Sequence, residues 1–355
     1  MLEDLLMSWG DPLVLAASGA LTGLIFGWAA QRSRFCLRAA TVEVAEGGFG
    51  PKLAIWLIVF FAAMMLTQGG VAAGLFDVSS TRQLAAEGSV SGALIGGVMF
   101  GIGMILARGC ASRLLVLSAT GNLRALVTGL ILTLVAQASY TGILAPAREA
   151  LTALWTVPGG AGRSLLDSLG LTNAMAAGLA GAALIGALVL ARRRGLGIGT
   201  ILASLGVGLA VTMGWAATAW IAAASFEIVP VGSVTFTGPA TDTLMALVTQ
   251  RSVVLSFGIG LVPGVFVGAG AAALAFREWK LERFGADTPM ERYLAGAVLM
   301  GFGAMLAGGC AVGAGVSGGA VFSTTALLAV FAMWIGAMAT VRVLAMRTRG
   351  GAQTV

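Results

Sequence analysis

Histidine is absent from all 355 residues. The side chain that most often moves protons or binds metals near neutral pH is therefore missing, which excludes Ser-His-Asp catalysis, His-ligated haem and zinc-His centres. Charge is scarce as well: 10% of residues are Asp, Glu, Lys or Arg, against about 25% in an ordinary soluble globule. Cysteine occurs three times, as Cys36, Cys110 and Cys310, widely separated and with no CxxC. That pattern offers neither a redox pair nor a recognisable metal motif. What remains is 58% hydrophobic, with a mean hydropathy of +0.96. This composition is that of a polytopic membrane protein. Gly reaches 53 residues, an excess that in a membrane protein goes with close helix packing and interrupted helices.

A bilayer-spanning helix needs about 20 mostly apolar residues. Apolar windows run at about residues 13 to 30, 53 to 75, 91 to 107, 123 to 145, 172 to 191, 196 to 224, 253 to 276, 291 to 307 and 323 to 345, which predicts nine spans. The first residues, MLEDLLMSWGDP, lack the basic region of a cleavable signal peptide, so the chain is expected to start with its own first helix. Lys and Arg concentrate in cytoplasmic loops. Alternating the spans from an outside N-terminus puts seventeen of them inside, in clusters such as Arg32, Arg34, Arg38 and Lys52, or Arg192, Arg193 and Arg194. Only Arg82, Arg148, Arg163 and Arg251 remain outside. The expected orientation is N-terminus out and C-terminus in, and the net charge of +6 is a topology signal and not a nucleic-acid surface.

Residues 96 to 111 read GGVMFGIGMILARGCA and residues 296 to 311 read GAVLMGFGAMLAGGCA, identical at nine of sixteen positions. Matched pairs include Gly101 with Gly301, Gly109 with Gly309 and Cys110 with Cys310. The copies fall in the third and eighth spans, five apart, and so cross the membrane in opposite directions. Inverted repeats of this kind mark transporters, whose substrate site lies near the midplane. The repeats are expected at about residues 10 to 150 and 196 to 347, joined by a helix at 172 to 191, in one membrane domain covering 1 to 355. After each repeated cysteine comes a stretch too short to cross and too apolar for a solvated loop, RGCASRLLVLSATGN and GGCAVGAGVSGGAVF. Both read as re-entrant pieces. A re-entrant half-helix starting there would present unpaired N–H groups and the positive end of its dipole, a site for an anion.

Cysteine is often only a small buried hydrophobe, and that reading competes at all three positions, most strongly at Cys36. Two of the three, however, sit at the repeated helix breaks. A thiol is a weak donor and polarizable acceptor, suited to brief contact with a sulfur-bearing substrate, and an anionic cargo favours the neutral thiol because a thiolate would repel it. The motifs RGCASRLLVLSATGNLRALV, LAGGCAVGAGVSGGA and RSRFC together resemble the YeeE/YedE family, and GNLR, Gly121 to Arg124, is similar to its thiosulfate-transporter branch. The resemblance implies an all-α protein of the bacterial inner membrane, with about nine transmembrane helices and short re-entrant ones in a pseudo-twofold hourglass. It also implies that thiosulfate passes along Cys36, Cys110 and Cys310 by successive S–H to S contacts. No Cys-Pro-x-Pro carrier motif is present, so any small TusA-like sulfur-carrier partner is a separate polypeptide.

Arg34, Arg38, Arg108, Arg113 and Arg124 surround the cysteine motifs. They either draw in a divalent anion or simply anchor the topology. Arg108 and Arg113, flanking Cys110, are the substrate-binding candidates, since an arginine at depth needs a partner. Asn122 reads as a helix cap. Gly19, Gly23 and Gly27 form a packing stripe, and the fifteen Met residues are scattered as in a core and not grouped for copper(I). No metal, cofactor or catalytic group is expected. Almost no Asp or Glu lies in the spans, which argues against proton or sodium coupling through an intramembrane carboxylate. The expected function is import of thiosulfate or a close sulfur oxyanion. The alternatives are another sulfur or selenium species such as a persulfide, or a membrane thiol enzyme acting on sulfane sulfur.

Overall fold

The computed structural model describes residues 2–249, 253–283 and 290–351; Arg251 lies outside them, as do the side chains of Arg347 and Arg349. Thirteen helices build the frame: α1 (Asp11–Ser33), α2 (Leu37–Ala45), α3 (Pro51–Ala72), α4 (Val90–Leu106), α5 (Ala111–Ala119), α6 (Leu123–Tyr140), α7 (Asn173–Arg193), α8 (Ile198–Ala224), α9 (Thr237–Thr249), α10 (Phe257–Ala275), α11 (Met290–Leu306), α12 (Ala311–Gly318) and α13 (Thr324–Gly351). Nine segments among the described residues are long and apolar enough to cross a membrane. They follow the nine apolar windows, and the protein is a polytopic all-α membrane protein. Strand is confined, among the described residues, to the two-residue pair Gly88–Ser89 and Thr156–Val157.

Helix ends follow local chemistry. The fourth window extended to residue 145, but α6 stops at Tyr140, and a new short helix with Pro146 in its first turn begins at Ala145. Asn122 caps α6, its side chain accepting the Ala125 N–H at 2.9 Å, as the sequence predicted. Ser89 and Ser256 cap α4 and α10 in the same way.

Without a hydrophobic drive between helices in lipid, close van der Waals packing must hold the bundle together. The tightest seam joins α1 to α10. Gly19, Gly23 and Gly27 lie against the backbone of Phe257, Leu261 and Val265, and Gly260, Gly264 and Gly268 face Ala16, Ala20 and Leu24 in return. At each of the six, a Cβ would strike a carbonyl oxygen of the opposing helix. The α4–α11 crossing is reciprocal: a Cβ on Gly96 would stand 2.5 Å from the Gly303 oxygen, and one on Gly103 2.6 Å from that of Gly296. By contrast α7 lies at the periphery, with Leu179 and Ile185 exposed.

Candidate functional site

Four of the thirteen helices are short, and three of them begin at a cysteine. Cys36, Cys110 and Cys310 are the N-cap residues of α2, α5 and α12. The cap geometry repeats. Each cysteine carbonyl accepts the first intrahelical bond, from the N–H of Ala40, Leu114 and Ala314 at 3.3, 2.9 and 2.8 Å, and at Cys310 the Sγ also accepts the Gly313 N–H at 3.4 Å. Each cysteine thus stands at the first turn of its own helix, where N–H donors have no intrahelical partner. All three cysteines are free and buried within one continuous core cluster.

Cys36 and Cys110 are neighbours in the core, and Ser112 Oγ lies 3.4 Å from the Cys110 sulfur. Arg113 and Arg38 stand beside this pair. The Arg38 Nε is buried without a hydrogen-bond partner. Among the described residues, Cys310 forms no hydrogen bond with the other two sulfurs, although α12 touches α5. Of the predicted residues, the structure therefore brings Cys36, Cys110 and Arg113 together. Arg108 is instead exposed, in a left-handed turn at φ 55.

α12 is a π-helix, a rare form frequent at functional sites. Its Ser317 Oγ donates to the Val234 carbonyl at 2.6 Å, and Gln68 Nε2 donates to the Ala320 carbonyl just beyond it at 2.7 Å. These bonds hold an irregular Gly-rich backbone that is tolerable at depth only because protein surrounds it.

The end of the bundle that carries Arg82 holds a cavity of about 610 Å³ lined by Arg82, Arg148, Arg163, Ser89 and Gly308 among others. A second, of about 230 Å³, is lined by Arg82, Gly308, Gly309 and Thr235. The two reach the turn that precedes Cys310. Arg148 is paired with Glu149 at 3.0 Å. Arg163 is held by neutral acceptors: the carbonyls of Arg82 and Ala86 at 3.0 and 2.7 Å, and Thr325 Oγ1 at 2.6 Å. Its Nε has no partner, and burial together with the neighbouring Arg82 pushes its pKa down. Arg82 donates to the Gly308 carbonyl at 3.2 Å. Glu87, Glu149 and Asp242 line the two cavities as well, so the basin is a mixed-charge chamber in which the Arg163 guanidinium, held by neutral acceptors, lies next to a cysteine-capped helix.

At the opposite end, Gln31 Nε2 donates to Glu278 Oε2 at 2.9 Å, and Arg113 Nη1 donates to Gln31 Oε1 at 3.4 Å. Arg32 and Arg34 approach Glu278 Oε1 at 3.8 and 3.7 Å. Asn122 also donates to Glu282, so the segment after α10 lies across the start of α6.

Sequence reasoning missed Gln31 and Glu278, the basin residues as a group, and the short helices α2 and α9. A signal for the last existed: Ser233, Ala240 and Thr241 repeat Ser33, Ala40 and Thr41 at the spacing that separates Cys310 from Cys110. The residue that follows from this spacing at the head of α9, in the place of Cys36, is the buried Phe236, whose ring lies 5.1 Å from that of Phe26.

A family model described as "Sulphur transport" matches residues 32–339. The chain is 27% identical to the thiosulfate transporter TsuA of Escherichia coli (strain K12) over 329 residues, 84% of this chain and 86% of that protein. It is 26% identical to the thiosulfate transporter TsuA of Spirochaeta thermophila over 330 residues, 83% and 89% of the two chains. The match takes in all three cysteine-capped helices and most of both arginine-lined ends, and the chain belongs to the sulphur-transport (YeeE/YedE) family.

Proposed function

We propose that this protein imports thiosulfate, or a closely related inorganic sulfur oxyanion, across the bacterial inner membrane. The carrying observation is that three buried cysteines each cap the positive end of a helix, two of them neighbours beside Arg113. A helix N-terminus favours an anion, while a neutral thiol offers a weak, polarizable contact that does not retain it. The anion enters through the basin of Arg82 and Arg163, meets Cys310, and reaches Cys110 and Cys36. It leaves past Arg113, with Arg108 beyond it at the inner surface. In this reading the N-terminus and the basin are periplasmic, the C-terminus and the Arg34 end are cytoplasmic, and two inverted halves supply the opposed cysteine helices. A separate TusA-like sulfur-carrier protein is the cytoplasmic partner. The orphaned Arg38 Nε beside the thiol pair supports a ligand rich in acceptor oxygens.

The test is uptake of radiolabelled thiosulfate by the purified protein in liposomes, with sulfite assayed in parallel. Label is expected to enter and equilibrate with no sulfite formed. Sulfite release, or a persulfide on the protein without entry of label, would instead establish a thiol enzyme. Within the transport reading, Arg163→Gln is expected to raise the half-saturating thiosulfate concentration about tenfold, the loss of one charged hydrogen-bonding group. Uptake curves at graded concentrations check this, and an unchanged half-saturation takes the basin off the path.

A further inference from the structure

The buried thiol pair lies beneath an end of the bundle crowded with guanidinium groups. Arg32, Arg34, Arg38 and Arg113 all come from the end of α1 and the starts of α2 and α5. Such a cluster would attract a dianion, but it would also hold one, and a carrier that binds its cargo tightly at the exit turns over slowly. One carboxylate is placed among them. Glu278 follows α10 by three residues, is only partly exposed, and faces Arg32 and Arg34 at 3.8 and 3.7 Å. Its other oxygen accepts from Gln31, whose amide oxygen in turn accepts from Arg113. Gln31 is buried. Arg32 also lies over the Phe276 ring, 3.6 Å from its centroid, so the charge it shares with Glu278 is not free to swing away. The separations to Arg32 and Arg34 are long for ion pairs, and such partly exposed pairs are weak. Glu278 is therefore a replaceable counter-ion, joined through Gln31 to the arginine beside the thiols.

We infer that Glu278 is an exit-tuning residue, a tethered anion that competes with the departing sulfur oxyanion for Arg113, Arg32 and Arg34 and so limits its retention at the inner mouth. This rests on the transport reading above. Its removal tightens binding and slows release, the opposite of what loss of an ordinary binding residue does.

The experiment compares wild type, Glu278→Gln and Glu278→Asp in proteoliposomes across a range of thiosulfate concentrations. Glu278→Gln, which keeps an acceptor for Gln31 and removes the charge, is expected to lower both KM and Vmax, each about fivefold. Glu278→Asp restores both parameters toward wild type. Unchanged KM and Vmax in Glu278→Gln overturn the inference, as does a higher KM. Loss of uptake together with an equal fall in thermal stability for both variants also overturns it, by assigning Glu278 a purely structural role. If wild type itself takes up no thiosulfate, the transport reading fails on its own. The solubilised proteins then decide the inference through thermal shift against added thiosulfate: half-saturation at lower concentration in Glu278→Gln upholds the anion mouth, and identical curves overturn it.

Discussion

Replacing Cys110 with alanine is expected to lower the initial rate of thiosulfate uptake on the order of a hundredfold, while Cys36→Ala and Cys310→Ala lower it about tenfold. The difference follows from position. Cys110 alone combines a helix cap with a neighbouring thiol, Cys36, and a hydroxyl, Ser112, at 3.4 Å. Without its sulfur, a charged cargo on the proposed path crosses this buried stretch without that polarizable contact, and losing a hydrogen bond to a charged group costs up to about 3 kcal/mol, or roughly two powers of ten in rate. The structural cost of the change is small, because alanine fills most of the same space and α5 keeps its remaining packing against α6 and α10. Stability measured beside uptake separates the two effects. Cys110→Ser sharpens the test: a hydroxyl donates more strongly than a thiol, so rate should fall while apparent affinity rises. Full activity in all three alanine variants would keep the transporter and remove the relay.

The largest effect on folding is expected at Gly260. A Cβ there would collide with the carbonyl oxygen of Ala16, and Ala20 stands directly behind it, so Gly260→Val must push α10 away from α1 along their whole glycine seam. Overpacking of this kind costs about 3 kcal/mol, and more where backbone and not a flexible side chain is met. The expected outcome is a loss of at least about 10 °C in melting temperature in detergent, or failure to yield folded protein. Gly178→Ala is the comparison. Gly178 lies on α7 with no atom within 4 Å of the added carbon, and Ala there is expected to be neutral or to stabilise by up to about 1 kcal/mol through helix propensity. Equal behaviour of the two variants would mean that the α1–α10 contact is not what holds the bundle closed.

The nine spans were legible because each needs only a long apolar window, a property of composition. The breaks at Cys110 and Cys310 were legible too, since the sequence around them repeats. Cys36 reads as part of a basic loop, whereas the chain folds back at Arg34 in a left-handed turn and buries the thiol at the head of α2. Two cues were opposed there: Arg32, Arg34 and Arg38 look solvated, and Phe35, Cys36 and Leu37 do not. The helix after residue 236 was hidden by its Thr, Gly and Pro content, which has the appearance of a connecting loop. Glu278 and Gln31 could not have been paired from sequence at all. They are 247 residues apart, and a glutamate just beyond a span reads as surface charge until the fold sets it against three arginines.

The two touching cysteine-headed helices have an electrical consequence for the proposed path. On the proposed path, with α5 touching α12 inside the bundle and polar chambers at either end, a transmembrane voltage would fall mainly across the buried stretch between Cys310 and Cys110. Moving a divalent anion inward against 100 mV, negative inside, requires about 4.6 kcal/mol of work, which corresponds to an equilibrium ratio of a few thousand to one against accumulation. If the proposed path is passive, it concentrates nothing by itself in a living cell. Import along it would then be set by how rapidly the interior consumes the cargo, and the flux would report metabolic demand.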